Sequence, residues 1–448
     1  MNEFPKGGIS AKQLADFAKA YDNAPNARLL TNAFHKLKIN DMALSADGLA
    51  AQNFVFSTDI KTMASTNQKS SGRCWLFAAT NCLREIVAKK NKLDDFELSQ
   101  SWLAFWDKFE RANYFLESIL ATANLPVDDR VVAYILNTGV GDGGQWDMFV
   151  NIINKYGICP KSVYGETAQS SGTGNMNSLL NRALKVDAIA LRKMVAKRAT
   201  AAKIATAKAD MMSKIYTFLT TCYGKPVTKF DFEYKDKDGK YHCEKGYTPL
   251  SFKKKYFGNM LDDYVSIINA PTDDKPFNEV FTVDFLGNVA EAAPLRYLNL
   301  SMDDFKTLVL KQLQEGEIVW FGSDCGKYSE RGEKNLYDPD VFDFESVTGL
   351  DLTMTKAEML DYGFSAMNHA MVITGVNVVN GKPNRWKIEN SWGTDGPNKG
   401  YYFMSDKWFD SYVFQAVVHK KYLGDKAALL KRKPVVLKPW DPMGTLAA

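Results

Sequence analysis

The sequence has no apolar run approaching the ~20 residues that cross a bilayer, and its first residues, Met1 to Gly8, show no basic segment leading into an apolar core. The expectation is a protein that neither spans a membrane nor carries a secretory leader. Cysteine is scarce: six residues (Cys74, Cys82, Cys159, Cys222, Cys243, Cys325) are scattered through 448, with no CxxC pair. This excludes a disulfide scaffold and a structural zinc site and points to a reducing, cytoplasmic setting. Charge of one sign is also lacking, because 56 basic residues face 52 acidic ones, for a net +4. So small a surplus does not imply nucleic acid or an anionic membrane as the main partner. Gly139 to Gly144 fits GxGxxG in spacing but lacks the strand-then-helix context for phosphate, and GxxxxGK[ST] does not occur, which argues against a nucleotide site. There is no internal repeat or low-complexity tract.

What is present is 46% hydrophobic and 24% charged residues over a length sufficient for two or three packed units. Ser10 to Leu14 reads as a capped helix start in an otherwise chemically plain opening segment. The polar stretch Asn67 to Arg73 then runs into Cys74, Trp75, Leu76 and Phe77, and apolar residues recur at helical spacing to about Lys90, predicting a helix buried on one side. A thiol in the first turn of a helix meets unpaired N–H groups and the positive end of the macrodipole, which favour thiolate. On this stretch alone Cys74 reads equally well as a small buried hydrophobe.

A second helix is predicted from Ser99 to Asn113, with core aromatics, and a long helix-forming region from Asn175 to Tyr223. Within the latter, residues 182–214 carry nine Lys or Arg against two Asp. This is either a solvated helix face or a basic patch for nucleic acid or an acidic partner. Strands dominate from Glu317 onward. His369 stands at the mouth of the strand beginning Ala370-Met371-Val372, and Asn390 stands at the end of the next. A turn at Asn380-Gly381-Lys382-Pro383 joins them as neighbours, predicting that His369 and Asn390 lie side by side. A cysteine, a histidine and an amide form a complete nucleophile set: imidazole takes the thiol proton and the amide orients the ring.

At these residues the chain resembles the papain superfamily of cysteine peptidases: Gln68 six positions before Cys74-Trp75, then Asn368-His369-Ala370, then Glu389-Asn390-Ser391-Trp392-Gly393. The resemblance implies Cys74 as nucleophile, His369 as general base and then acid, and Asn390 as its orienting partner beneath Trp392. Gln68 is implied as side-chain oxyanion donor beside the Cys74 N–H, with Gly143 and Gly144 as a glycine wall for extended substrate. Asn368 is implied to contact substrate. Ser71 and Gly141 stand where secreted members have the two halves of a disulfide, in keeping with a cytoplasmic enzyme.

The chain is more closely similar to the bleomycin hydrolase and aminopeptidase C branch, through Gly72 to Trp75, Asp142 to Asp147, Trp320 to Gly322, Tyr402 to Asp406 and the tail Pro439 to Ala448. That resemblance implies an α+β papain-like fold with a helical half and a β-barrel-like half. Its expected parts are an N-terminal arm (1–60), the helical half with the nucleophile (61–165), a mainly helical insertion (166–310), the β-rich half (311–424) and a C-terminal arm (425–448). It further implies a homohexamer without metal or cofactor, acting on peptides with a free N-terminus and on bleomycin-like amides. The terminal residues Ala447 and Ala448 are implied to enter the cleft and meet the substrate ammonium. Two prolines and a Trp stiffen and anchor that tail, and Gly-Thr-Leu-Ala-Ala is slim enough to enter. The alternatives are an endopeptidase of the same chemistry and a nucleic-acid-binding protein using residues 182–214.

Overall fold

The periodic apolar stretch after Gly72 folds as one helix, Cys74–Asn91, here the cysteine helix. It starts after Arg73 without a side-chain cap and stops where Lys92 takes a left-handed conformation. The structure, a computed structural model, describes residues 7–447. The expected one-sided burial of the cysteine helix is too narrow, since Thr80, Asn81 and Arg84 are buried along with the apolar positions. The reason is that helices Gln100–Ala121 and Trp146–Tyr156 pack against it as well as strands His369–Val379 and Val319–Ser323. Gln100–Ala121 runs two turns past the predicted end. The Asn175 to Tyr223 region forms two helices, Gly174–Ala196 and Ala201–Tyr223, which pack on Gln100–Ala121 and on each other.

Residues 54–337 and 354–447 form one unit and residues 7–53 with 338–353 another. In the larger unit a twelve-stranded mixed sheet is centred on the antiparallel neighbours Val413–His419, Val319–Ser323, His369–Val379, Lys382–Glu389 and Tyr401–Ser405. His369–Val379, the histidine strand, is apolar on both faces. Ala370 and Val372 join the core that holds the cysteine helix, while Met371 and Ile373 join a second core with Phe305, Trp386 and Phe409. Burial on both faces explains why its sequence reads as a continuous apolar run rather than an alternating one. Asn380 and Gly381 both have positive φ, the signature of a two-residue hairpin turn, so Val379 pairs with Lys382 as the sequence predicts.

The stretch read as a mainly helical insertion, 166–310, is helical through Tyr223 and again at Pro249–Phe257. It continues with a hairpin, Phe230–Lys235 and Tyr241–Tyr247, and strands Tyr264–Ile268, Val280–Val283 and Tyr297–Asn299, which enter the main sheet. Their short lengths hide the strand periodicity in the sequence. The segment read as an N-terminal arm groups instead with residues 338–353: Leu44 bridges Phe342, and Ser45 N–H donates to the Val341 carbonyl at 3.0 Å. Its first helix, Ala11–Asp22, has the expected Ser10 cap, reinforced by Gln13 in a capping box.

Candidate active site

The hairpin puts the two strand-end residues together. His369 Nε2 lies 2.8 Å from Asn390 Oδ1, which also accepts the Ser391 N–H at 2.8 Å. An oxygen in that position accepts, so Nε2 carries the ring proton and Nδ1 is left with its lone pair. The cysteine helix enters from the other side: the N–H of Ala370, next to His369 in the chain, donates to Cys74 Sγ at 3.4 Å. Trp392 stacks on the His369 ring with centroids 4.9 Å apart, and the Arg331 guanidinium sits on Trp392 at 4.4 Å. The stack excludes water from the imidazole.

That exclusion sets the electrostatics. Burial drives His369 down to about 4, with Arg331 pushing the same way and the Asn390 bond opposing. Burial pushes the Cys74 thiol up to about 11, although the N–H groups of Ala370 and Trp75 oppose the rise. The sequence argument that a helix start favours thiolate is therefore corrected. At a site 3% exposed, desolvation outweighs the helix end, and thiol and imidazole both rest neutral.

Gln68 is pinned from both ends of its amide. Oε1 accepts from Ser391 Oγ at 2.7 Å, and Nε2 donates to the Ser71 carbonyl at 2.6 Å, leaving one amide hydrogen uncommitted. Ser71, in place of a bridging cysteine, donates to the Gln68 carbonyl at 2.6 Å and accepts from Arg73 Nε at 2.9 Å, so hydrogen bonds hold this loop. All six cysteines are unpaired.

The two wall glycines separate in role. A methyl group on Gly143 would collide with the Leu446 carbonyl of the tail, whereas one on Gly144 would collide with the Trp75 indole. The bare Cα of Gly144 makes room for Trp75, whose Nε1 donates to the Asp142 carbonyl at 2.7 Å. The Asn368 side chain is likewise engaged by the protein, donating to Asp324 at 2.5 Å and accepting from Cys325 N–H at 3.1 Å.

The tail is docked rather than loose. Val435–Leu437 pairs with Val280–Val283. Trp440 lies under Arg130 at 3.8 Å, and Asp441 pairs with buried Lys275 at 2.9 Å. Thr445 Oγ1 donates to the Met367 carbonyl at 2.8 Å, and Leu446 approaches Gly322. Ala447 is buried and its carbonyl accepts from Arg111 at 3.0 Å. Ala448 lies outside the described residues.

Sequence reasoning missed the buried ions that hold these parts. Asp142 Oδ1 accepts from Lys108 at 2.6 Å and Asn177 at 2.9 Å; Oδ2 accepts the Gly72 N–H at 3.0 Å and the Thr173 hydroxyl. Burial alone would raise this carboxyl, but Lys108 and the three side-chain hydrogen bonds more than offset that, and its pKa lies below the usual range. A signal existed: Asp107, Lys108, Glu110 and Arg111 interrupt the aromatic helix read as core, and all four are buried. In the basic stretch, by contrast, Arg192 donates to the carbonyls of Thr122 and Leu125 and Lys208 pairs with Glu117.

Fold and cleft together define the class: a papain-like cysteine peptidase of α+β architecture. The peptidase C1-like family model matches residues 8–444, and the chain belongs to that family. It is 46% identical over 440 residues to aminopeptidase C of Listeria innocua, covering 98% of this chain and 99% of that protein. It is 38% identical over 451 residues to bleomycin hydrolase of Rattus norvegicus, covering 98% and 99%. The crystal structure of PepW from Lactobacillus rhamnosis superposes with a TM-score of 0.95 at 49% identity, covering 98% of this chain and 99% of that one. No helix among the described residues is long and apolar enough to cross a membrane.

Proposed function

We propose that this cysteine peptidase is an aminopeptidase, with Cys74 as nucleophile, His369 as general base and then acid, and Asn390 holding the imidazole tautomer. In the first step Nδ1 of His369 takes the Cys74 proton as sulfur attacks the scissile carbonyl. The developing oxyanion meets the Cys74 N–H and the free hydrogen of Gln68 Nε2. His369 then returns the proton to the leaving amine, giving a thioester on Cys74. Water, deprotonated by His369, attacks the thioester, and the thiol is regenerated with release of the acid.

The observation that carries the exopeptidase part is the docked tail, whose Leu446 carbonyl lies against Gly143 where extended substrate would run. A tail occupying that side leaves room for one substrate residue before the scissile bond. Peptides with a free N-terminus are the substrates, and bleomycin-like amides fit the same rule. The missing disulfide and six free thiols support a cytoplasmic setting. Leu14, Phe17 and Tyr21, spaced along helix Ala11–Asp22 and each more than half exposed, supply an apolar face that supports self-association, for which we propose a homohexamer.

The test is digestion of matched peptides with free and acetylated N-termini, followed by mass. Stepwise loss of N-terminal residues from the free peptide and none from the acetylated one is expected, and abolished by Cys74→Ala. Equal cleavage of both peptides, or internal cuts, would establish the endopeptidase alternative. Nothing in the basic stretch favours nucleic acid over peptide.

A further inference from the structure

Ala447, the last described residue of the tail, has little side chain to grip. The buried group that grips it is Arg111. This guanidinium, 6% exposed, sits on helix Gln100–Ala121 and uses three different nitrogens on three different partners. Nε pairs with Asp107 at 2.9 Å; Nη1 donates to the Ala447 carbonyl at 3.0 Å; Nη2 donates to the Gly143 carbonyl. Asp107 is itself held by Asn288 Nδ2 at 2.9 Å, and the guanidinium lies 5.8 Å from the Trp75 ring. One rigid fork thus ties the end of the tail to the strip of backbone along which substrate would lie.

From this geometry we propose that Arg111 is a specificity-determining positioning residue: by clamping the Ala447 carbonyl to the Gly143 carbonyl it sets how far the tail reaches into the cleft. The inference rests on the exopeptidase reading above and adds the residue that enforces it. Both contacts are to backbone oxygens, so the clamp holds the Ala447 backbone whatever its side chain. Lysine cannot substitute fully, because a single ammonium on a flexible stem does not offer two donors in one plane beside an ion pair with Asp107. Of the other anchors, Trp440 and Asp441 fix the tail's base and Thr445 ties it to the Met367 carbonyl, while Arg111 holds the Ala447 backbone itself.

The experiment compares four proteins on the free and acetylated peptide pair: wild type, a deletion of residues 446–448, Arg111→Lys, and Arg111→Met combined with Asp107→Asn so that no lone charge is buried. Rates are normalised to folded sites by stoichiometric alkylation of the Cys74 peptide, and tail release is read separately as susceptibility of the full-length proteins to carboxypeptidase. The deletion and the double variant should each raise the acetylated-to-free ratio by about tenfold or more, equivalent to ~1.4 kcal/mol of discrimination, with Arg111→Lys between them and wild type. Carboxypeptidase should trim the double variant faster than wild type. If the deletion raises the ratio while the double variant keeps the wild-type ratio and an untrimmed tail, the proposal is overturned and the exopeptidase reading stands. If the deletion leaves the ratio unchanged, that reading fails and the proposal with it. A rise in the double variant alone would mean that Arg111 acts otherwise than through the tail, which also overturns it.

Discussion

Replacing Asp142 by asparagine conserves shape and removes one charge, and the structure makes its cost calculable. Each carboxylate oxygen receives two donors: Lys108 and Asn177 on one, Gly72 N–H and Thr173 on the other. A carboxamide presents NH2 on one side, so either orientation sets donors against donors. The larger effect is on Lys108, whose side chain is 2% exposed and would be left as a buried ammonium without its counter-ion. Breaking a buried pair from one side costs about 3–5 kcal/mol, against a total stability of about 5–15 kcal/mol for a typical fold. Urea unfolding followed by tryptophan fluorescence should show a large drop in midpoint at unchanged slope. Adding Lys108→Met should restore most of the loss, so that the double-mutant cycle yields a coupling above about 2 kcal/mol. The pH dependence follows from the depressed carboxyl: its contribution is present above the unfolded value of about 3.9 and lost as pH falls below it, so the acid limb of stability should be shallower in the variant. A cost under about 1 kcal/mol, or a coupling near zero, would refute the claim that this ion pair holds the Gly72 loop and with it the start of the cysteine helix.

Two further outcomes follow from the site. His369 is lowered by burial to about 4, while an unfolded histidine titrates near 6.5, so between those values only the unfolded chain holds the proton and stability rises with pH, by up to ~3 kcal/mol across the window. His369→Gln should flatten that rise in urea midpoints measured across about pH 4 to 6.5; an unchanged slope would count against the buried neutral imidazole. Gln68→Ala should lower kcat by about 10²–10³ as an oxyanion donor is lost, and Ser391→Ala, which frees the amide from its 2.7 Å anchor, should lower it less. Steady-state kinetics on an aminoacyl amide decide this, and a Gln68→Ala loss under about threefold would remove Gln68 from the proposed chemistry.

Much of the arrangement was legible because it rests on local signals. The Asn380-Gly381 turn and the apolar run after His369 determined a hairpin, and that hairpin brings together the strand ends that carry His369 and Asn390. The residue spacing after Cys74 determined a helix, and the Trp440 and proline content of the terminus indicated a docked tail. What stayed illegible depends on partners distant in sequence. Whether Cys74 is thiol or thiolate is decided by how completely Trp392, the tail and the neighbouring helices exclude water, which no local pattern encodes. Gly144 makes room for an indole 69 residues earlier in the chain, a contact that only the folded chain shows. Arg111 on a core helix reads as an ordinary charge until residues 143 and 447 converge on it. The sequence by itself determined the main elements and the approach of His369 to Asn390, because turn chemistry and periodicity act over a few residues. The tertiary structure decided protonation, the division of labour between the two glycines and the reach of the tail, because desolvation and buried charge pairing depend on what packs around a group and not on what adjoins it.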